Sequence, residues 1–97
     1  MGTIYVRDGQ TSTGITLNNG TSMYVWGGTA NDTTVNSGGY EYVSVGQASN
    51  TVVNSGGKFD VAHGTASDTT INGGDAAICA GGKAINTTVN TGIFTVA

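Results

Sequence analysis

Proline is absent, cysteine occurs once, and charged residues are only 9% of the 97 in the chain. Each shortage excludes something. A single thiol, Cys79, cannot form an internal disulfide or a thiolate zinc cluster. Three basic residues (Arg7, Lys58, Lys83) against six acidic ones give a net charge of −3, so the chain lacks the basic face that a nucleic-acid binder needs to displace counterions from phosphates. Docking on anionic lipid through a polybasic segment fails for the same reason. No apolar run approaches the roughly 20 residues of a membrane-spanning helix, and no charged-then-apolar signal segment opens the chain. The length fits one domain and leaves no room for several catalytic units. Disordered chains are typically rich in Pro, Glu and Lys, whereas here Val, Ile and Thr recur in regular positions.

Small polar residues fill the space. Gly, Thr, Asn and Ser together account for 49 of the 97 residues, and they are periodic. Asn18, Asn36, Asn54, Asn72 and Asn90 lie 18 residues apart, each preceded by an aliphatic residue (Leu17, Val35, Val53, Ile71, Val89) and followed two positions on by Gly20, Gly38, Gly56, Gly74 and Gly92. Parallel columns hold Gly28, Gly46, Gly64 and Gly82; Ala30, Ala48, Ala66 and Ala84; Thr33, Thr51, Thr69 and Thr87; and Val25, Val43, Val61 and Cys79. The consensus is TVNSGGxxYVxxGxAxxT. The repeats run over approximately residues 1–15, 16–33, 34–51, 52–69 and 70–87, with a partial one at 88–97. The first has one residue more between its matching positions, aligning Tyr5-Val6 with Tyr24-Val25. The last is one short, so Phe94 and Val96 take the places of Phe59 and Val61. Met1-Gly2 reads as an expression start, and the chain as a piece cut from a longer array.

Glycine twice in every repeat is incompatible with helix, at about 1 kcal/mol for each helical glycine. Short β-rich pieces between glycine turns at a fixed period imply an all-β fold, a right-handed parallel β-helix (β-solenoid) of about five 18-residue coils. Each coil would be a triangle of three short strands, with equivalent residues of successive coils about 4.8 Å apart. The asparagines would form a corner ladder of amide hydrogen bonds, and Gly38-Gly39 and Gly56-Gly57 would supply positive φ at that corner. Alternation places Val35, Val53, Ile71, Thr33, Thr51 and Thr69 inward, and Thr34, Val52, Thr70 and Thr88 outward. Tyr24, Trp26, Tyr42 and Ser44 face out if Val25, Val43, Val61 and Cys79 face in.

Catalytic and metal chemistry find little support. Asp32 and Asp68 share a column at ~9.6 Å, two strand spacings, which matches the carboxylate separation of an inverting glycosidase. The residue between them is Asn50, so they read as turn residues. His63, the one histidine, reads as a solvated turn residue, and Cys79 as a small buried apolar group. The glycine-rich stretches lack the lysine and helix of a phosphate loop. The calcium-binding nonapeptide of other β-helices is missing. The expectation is therefore a non-enzymatic chain with no metal and no bound cofactor.

Two outward features carry the functional candidates. Tyr5, Tyr24 and Tyr42 fall on one column with Trp26 and Tyr40 beside it, and Arg7 aligns with Trp26 for a cation–π stack. Such a strip serves either as a stabilising ladder or as a contact surface for another chain or a sugar face. The second feature is hydroxyl supply at turn or outward positions: Thr34, Ser37, Ser44, Ser49, Ser55, Ser67, Thr70 and Thr88. An ice-binding array is disfavoured, because Thr33-Thr34, Thr69-Thr70 and Thr87-Thr88 are adjacent and point to opposite sides.

The string GGTANDTTVNSGGYEYVSVGQASNTVVNSGGKFDVAHGTASDTTINGG closely resembles the imperfect repeats of AIDA-type self-associating autotransporter adhesins, and the likeness runs from about Tyr5 to Val96. The resemblance implies a passenger-domain segment, exported through its own translocator and displayed on the bacterial surface. It also implies adhesion to host cells, autoaggregation and biofilm formation through other passenger copies. In several members a dedicated cytoplasmic heptosyltransferase, which would itself bind ADP-heptose, adds heptose to Ser and Thr before export. Ser37 and Ser55 of NSGG, with Thr34, Thr70 and Thr88, match the best-placed acceptors; Ser44, Ser49 and Ser67 are further candidates. Departures lie in Thr88-Val89-Asn90-Thr91-Gly92 and in Asn72-Gly73-Gly74, which has no serine. The alternative is a self-association module that works without sugar.

Overall fold

The computed structural model describes residues 2–79 and 81–96; Met1, read above as an expression start, lies outside them. Twelve strands follow one another: β1 (Gly2–Arg7), β2 (Thr11–Thr13), β3 (Thr16–Leu17), β4 (Thr21–Asn31), β5 (Thr34–Val35), β6 (Tyr40–Ser49), β7 (Val52–Asn54), β8 (Lys58–Val61), β9 (Thr65–Ser67), β10 (Thr70–Ile78), β11 (Lys83–Ile85) and β12 (Thr88–Val96). Every pairing is parallel. The chain is a β-solenoid of about five turns. One face is built from β1, the first halves of β4 and β6, β8 and the second halves of β10 and β12. A second comprises β2, the ends of β4 and β6, β9 and β11. The third stacks β3, β5, β7 and the starts of β10 and β12.

The core follows the columns. Leu17, Val35, Val53 and Ile71 are fully buried on the third face, Ala30, Ala48 and Ala66 are buried on the second, and Val6, Val25, Val43, Val61 and Ile78 on the first. Thr33, Thr51 and Thr69 point inward as alternation requires, and their Oγ1 atoms have no hydrogen-bond partner. Phe94 and Val96 pair with Ala76 and Ile78, which themselves pair with Phe59 and Val61, so the last repeat takes the places expected of it.

The asparagine corner shows why NSGG recurs. The carbonyl of Asn36 accepts from Gly39 N–H at 2.8 Å, closing a β-turn whose third residue, Gly38, has φ +79°, as a type II turn requires. Gly39 serves a different need from the one the sequence suggests. It has no positive φ, but a Cβ there would collide with the carbonyl of Leu17 in the coil before. Along this corner the amide of Asn36 donates to Asn18 Oδ1 at 2.9 Å and that of Asn54 donates to Asn36 Oδ1 at 2.8 Å. Asn90 donates to Asn72 at 2.6 Å. Asn36→Ala removes two of these bonds and is expected to cost about 1–2 kcal/mol. Urea midpoints of the wild-type and variant chains check this, and an unchanged midpoint would show that water replaces the ladder without loss.

One stretch departs from the expected alignment. With no serine in Asn72-Gly73-Gly74, the corner turn has one residue too few, and β10 runs through it without a break. Asn72 and Gly73 both oppose Asn54, and from there Asp75 pairs with Lys58 and Ile78 with Val61, a separation of 17 in place of 18. Gly73, not Gly74, therefore takes the positive-φ position, at +94°. Ile78 fills the inward site expected of Cys79, and Cys79 is exposed. The missing residue is restored at the next corner, where Gly82 N–H bonds the Cys79 carbonyl at 2.9 Å and Lys83 again pairs with Thr65, 18 residues away.

Candidate functional site

The four tyrosines and Trp26 form one cluster on the first face. Tyr5, Tyr24 and Tyr42 share a column because β1, β4 and β6 pair in that register, and Arg7 lies opposite Trp26. Tyr5 and Tyr24 stack at 5.7 Å with 25° between planes, and Tyr40 and Tyr42 at 6.3 Å with 14°. Trp26 lies 5.6 Å from Tyr5 at 42°. Tyr24 meets Tyr40 and Tyr42 edge-on, so it joins the two stacks. The Arg7 guanidinium sits 5.2 Å from the Tyr5 ring centre and 5.9 Å from that of Trp26, within cation–π range. Trp26 and Tyr5 remain 47% and 46% exposed, so the strip packs against itself without closing. The Tyr40 hydroxyl donates to Asp60 Oδ2 at 3.0 Å. Partial burial first, and the adjacent carboxylate second, hold its proton well above the ordinary phenol range.

Beside Trp26 lies a hollow of about 480 Å³ lined by Asp8, Trp26, Gly27, Ser44 and Val45. It sits at the corner between the first and second faces, where β4 and β6 lose regular pairing between Trp26 and Thr29.

The hydroxyl candidates are not brought together. Ser37 and Ser55 are exposed at the asparagine corner, in equivalent places of successive coils, since Val35 pairs with Val53 and Tyr40 with Lys58 on either side. Thr34 and Thr70 are half-buried and Thr88 exposed on the third face, in one column that also contains Thr16 and Val52. Ser49 and Ser67 are neighbours on the second face, and Ser44 lines the hollow. The arrangement is an array around the coil, with no convergent site.

Asp32 and Asp68 are corner residues with φ near +55°, as are Asn50 and Asn86. Outside glycine, Asp and Asn adopt this conformation most readily, which accounts for the alternation of the two in that column. His63 is exposed. Among the described residues, no three His, Cys, Asp or Glu side chains gather where they could hold a metal ion.

One residue escaped the sequence reading. Glu41 is completely buried, standing inward between Met23 and Phe59, and neither carboxyl oxygen has a hydrogen-bond partner. Burial raises its pKa to about 8. The signal was available: Glu41 lies two positions from inward Val43, so period two already turned it to the core.

The chain is thus a thin-cored parallel solenoid with repeated outward hydroxyls and an exposed aromatic strip. Its family is shown by comparison. Residues 1–57 and 42–93 match the AIDA family, described as adhesin of bacterial autotransporter system, probable stalk, and the chain belongs to that family. It is also similar to the crystal structure of a TibC-catalysed hyper-glycosylated TibA fragment, with 35% identity and a TM-score of 0.90 over 98% of this chain. The match spans 38% of that fragment. No curated sequence matches significantly.

Proposed function

We propose that this stalk segment is displayed on the bacterial surface as part of an adhesin passenger and is an acceptor for O-heptosylation by a dedicated cytoplasmic transferase before export. The supporting observation is the recurrence of outward hydroxyls on equivalent coils, above all the exposed and equivalently placed Ser37 and Ser55. One transferase site can act on successive coils because each presents nearly the same backbone. The likeness to a hyper-glycosylated fragment supports the same reading, as does the low charge, which leaves the solenoid surface free for a polar sugar layer. The segment's role is structural rather than enzymatic. The family match supports a part for the segment in adhesion to host surfaces and in autoaggregation with other passenger copies.

Co-expression with an autotransporter heptosyltransferase and measurement of intact mass test the proposal. The expected result is several heptose-sized increments, mapping by fragmentation to Ser37 and Ser55 first and to Thr34, Thr70 and Thr88 next. An unchanged mass with a transferase active on another passenger would leave the hydroxyls as structure and favour self-association without sugar.

A further inference from the structure

We infer that the hollow beside Trp26 is a binding site for a neutral pyranose sugar presented by another molecule. A pyranose has one face of C–H groups and a rim of hydroxyls, and the hollow offers a partner for each. The exposed indole of Trp26, tilted 42° to the Tyr5 ring 5.6 Å away, is an apolar wall of the size of a sugar face. Asp8 and Ser44 line the same hollow, supplying a carboxylate acceptor and a hydroxyl. The volume of about 480 Å³ lies within the range of small-molecule sites, which combine apolar walls with a few placed polar groups.

Other ligand classes fit less well. An extended peptide binds by completing a sheet edge, but β4 is already paired on one side with β1 and on the other with β6. An acidic sugar would meet Asp8 on a chain of net charge −3. Arg7 is turned to the rings of Tyr5 and Trp26, where it strengthens the platform.

Trp26 is the one tryptophan of the chain, so its fluorescence reports the site directly. The unmodified chain is titrated with the methyl glycosides of glucose, galactose, mannose and N-acetylglucosamine up to tens of millimolar. It must be unmodified, because a sugar on Ser44 would occupy the hollow. A saturable emission change with at least one glycoside is expected. Asp8→Asn and Ser44→Ala should each weaken it, and Tyr5→Ala by roughly tenfold as a packed aromatic anchor is lost. All three residues are outside the core, and unchanged melting temperatures would show that the variants remain folded. Calorimetric titration of Trp26→Ala supplies the readout that this variant lacks. No saturable response with any of the four would overturn the inference, as would a response equal in all variants. Sedimentation showing self-association that Trp26→Ala abolishes, without a sugar response, would also overturn it and assign the strip to a second copy of the chain.

Discussion

Replacing Glu41 with methionine is expected to stabilise the chain at pH 8 and to remove most of the pH dependence of its stability. The carboxyl is buried between Met23 and Phe59 with no partner for either oxygen, and its pKa is raised from 4.5 to about 8. Below pH 4.5 it is protonated in both folded and unfolded chains, so no ionisation penalty arises. As pH climbs from 4.5 towards 8, the unfolded chain releases the proton while the folded chain keeps it, and stability falls. Beyond pH 8 the loss levels off at about 5 kcal/mol, with about 3 kcal/mol already gone at pH 7. Methionine matches the side chain in size and continues the apolar column. Urea unfolding at pH 5 and pH 8 should show a strong decline for the wild-type chain and a weak one for Glu41→Met. Glu41→Gln should flatten the profile too, while remaining less stable than the methionine variant because its buried amide is still unpaired. Equal declines in all three chains would show that Glu41 ionises freely in the fold.

The second large effect concerns position along the stack. Phe59 is the largest fully buried side chain and lies between Glu41 and Ala76 in a middle coil. Phe59→Ala should cost about 3–5 kcal/mol, the usual range for emptying a packed aromatic site. Phe94 stands in the same column, pairs with Ala76 and is only partly buried. Phe94→Ala should cost under about 1 kcal/mol, because a coil with one neighbour loses little packing. Parallel thermal and urea melts of the two variants check the contrast. Similar losses in both would mean that burial does not depend on coil position as the stack implies.

Much of the fold was legible because a solenoid writes its third dimension into spacing. Residues 18 apart stack, and alternate residues share a side, so the asparagine ladder, the inward threonines and the tyrosine column could all be named from the sequence. The same arithmetic concealed the shortened corner in the fifth coil. Asn72 and Asn90 are 18 apart, as are Gly64 and Gly82, so the columns agree on both sides of a shortened corner and its later restoration. Only the volume of Ile78 against the weakly apolar Cys79 hinted which of the two would be buried. Corner φ values were hidden in another way, since Asp and Asn suit turns of several kinds and only the backbone shows that this column is left-handed. The hollow beside Trp26 depends on where β4 and β6 lose register, and spacing carries no trace of that.

The shortened corner also bears on how such stalks change over time. A residue lost at Asn72-Gly73-Gly74 and regained between Cys79 and Gly82 alters the outline of a single coil, while the coils on either side remain in phase. A dislocation healed within half a turn leaves axial order intact. Surface loops and outward hydroxyls can therefore be gained or shed one coil at a time, and the rod they decorate continues as before.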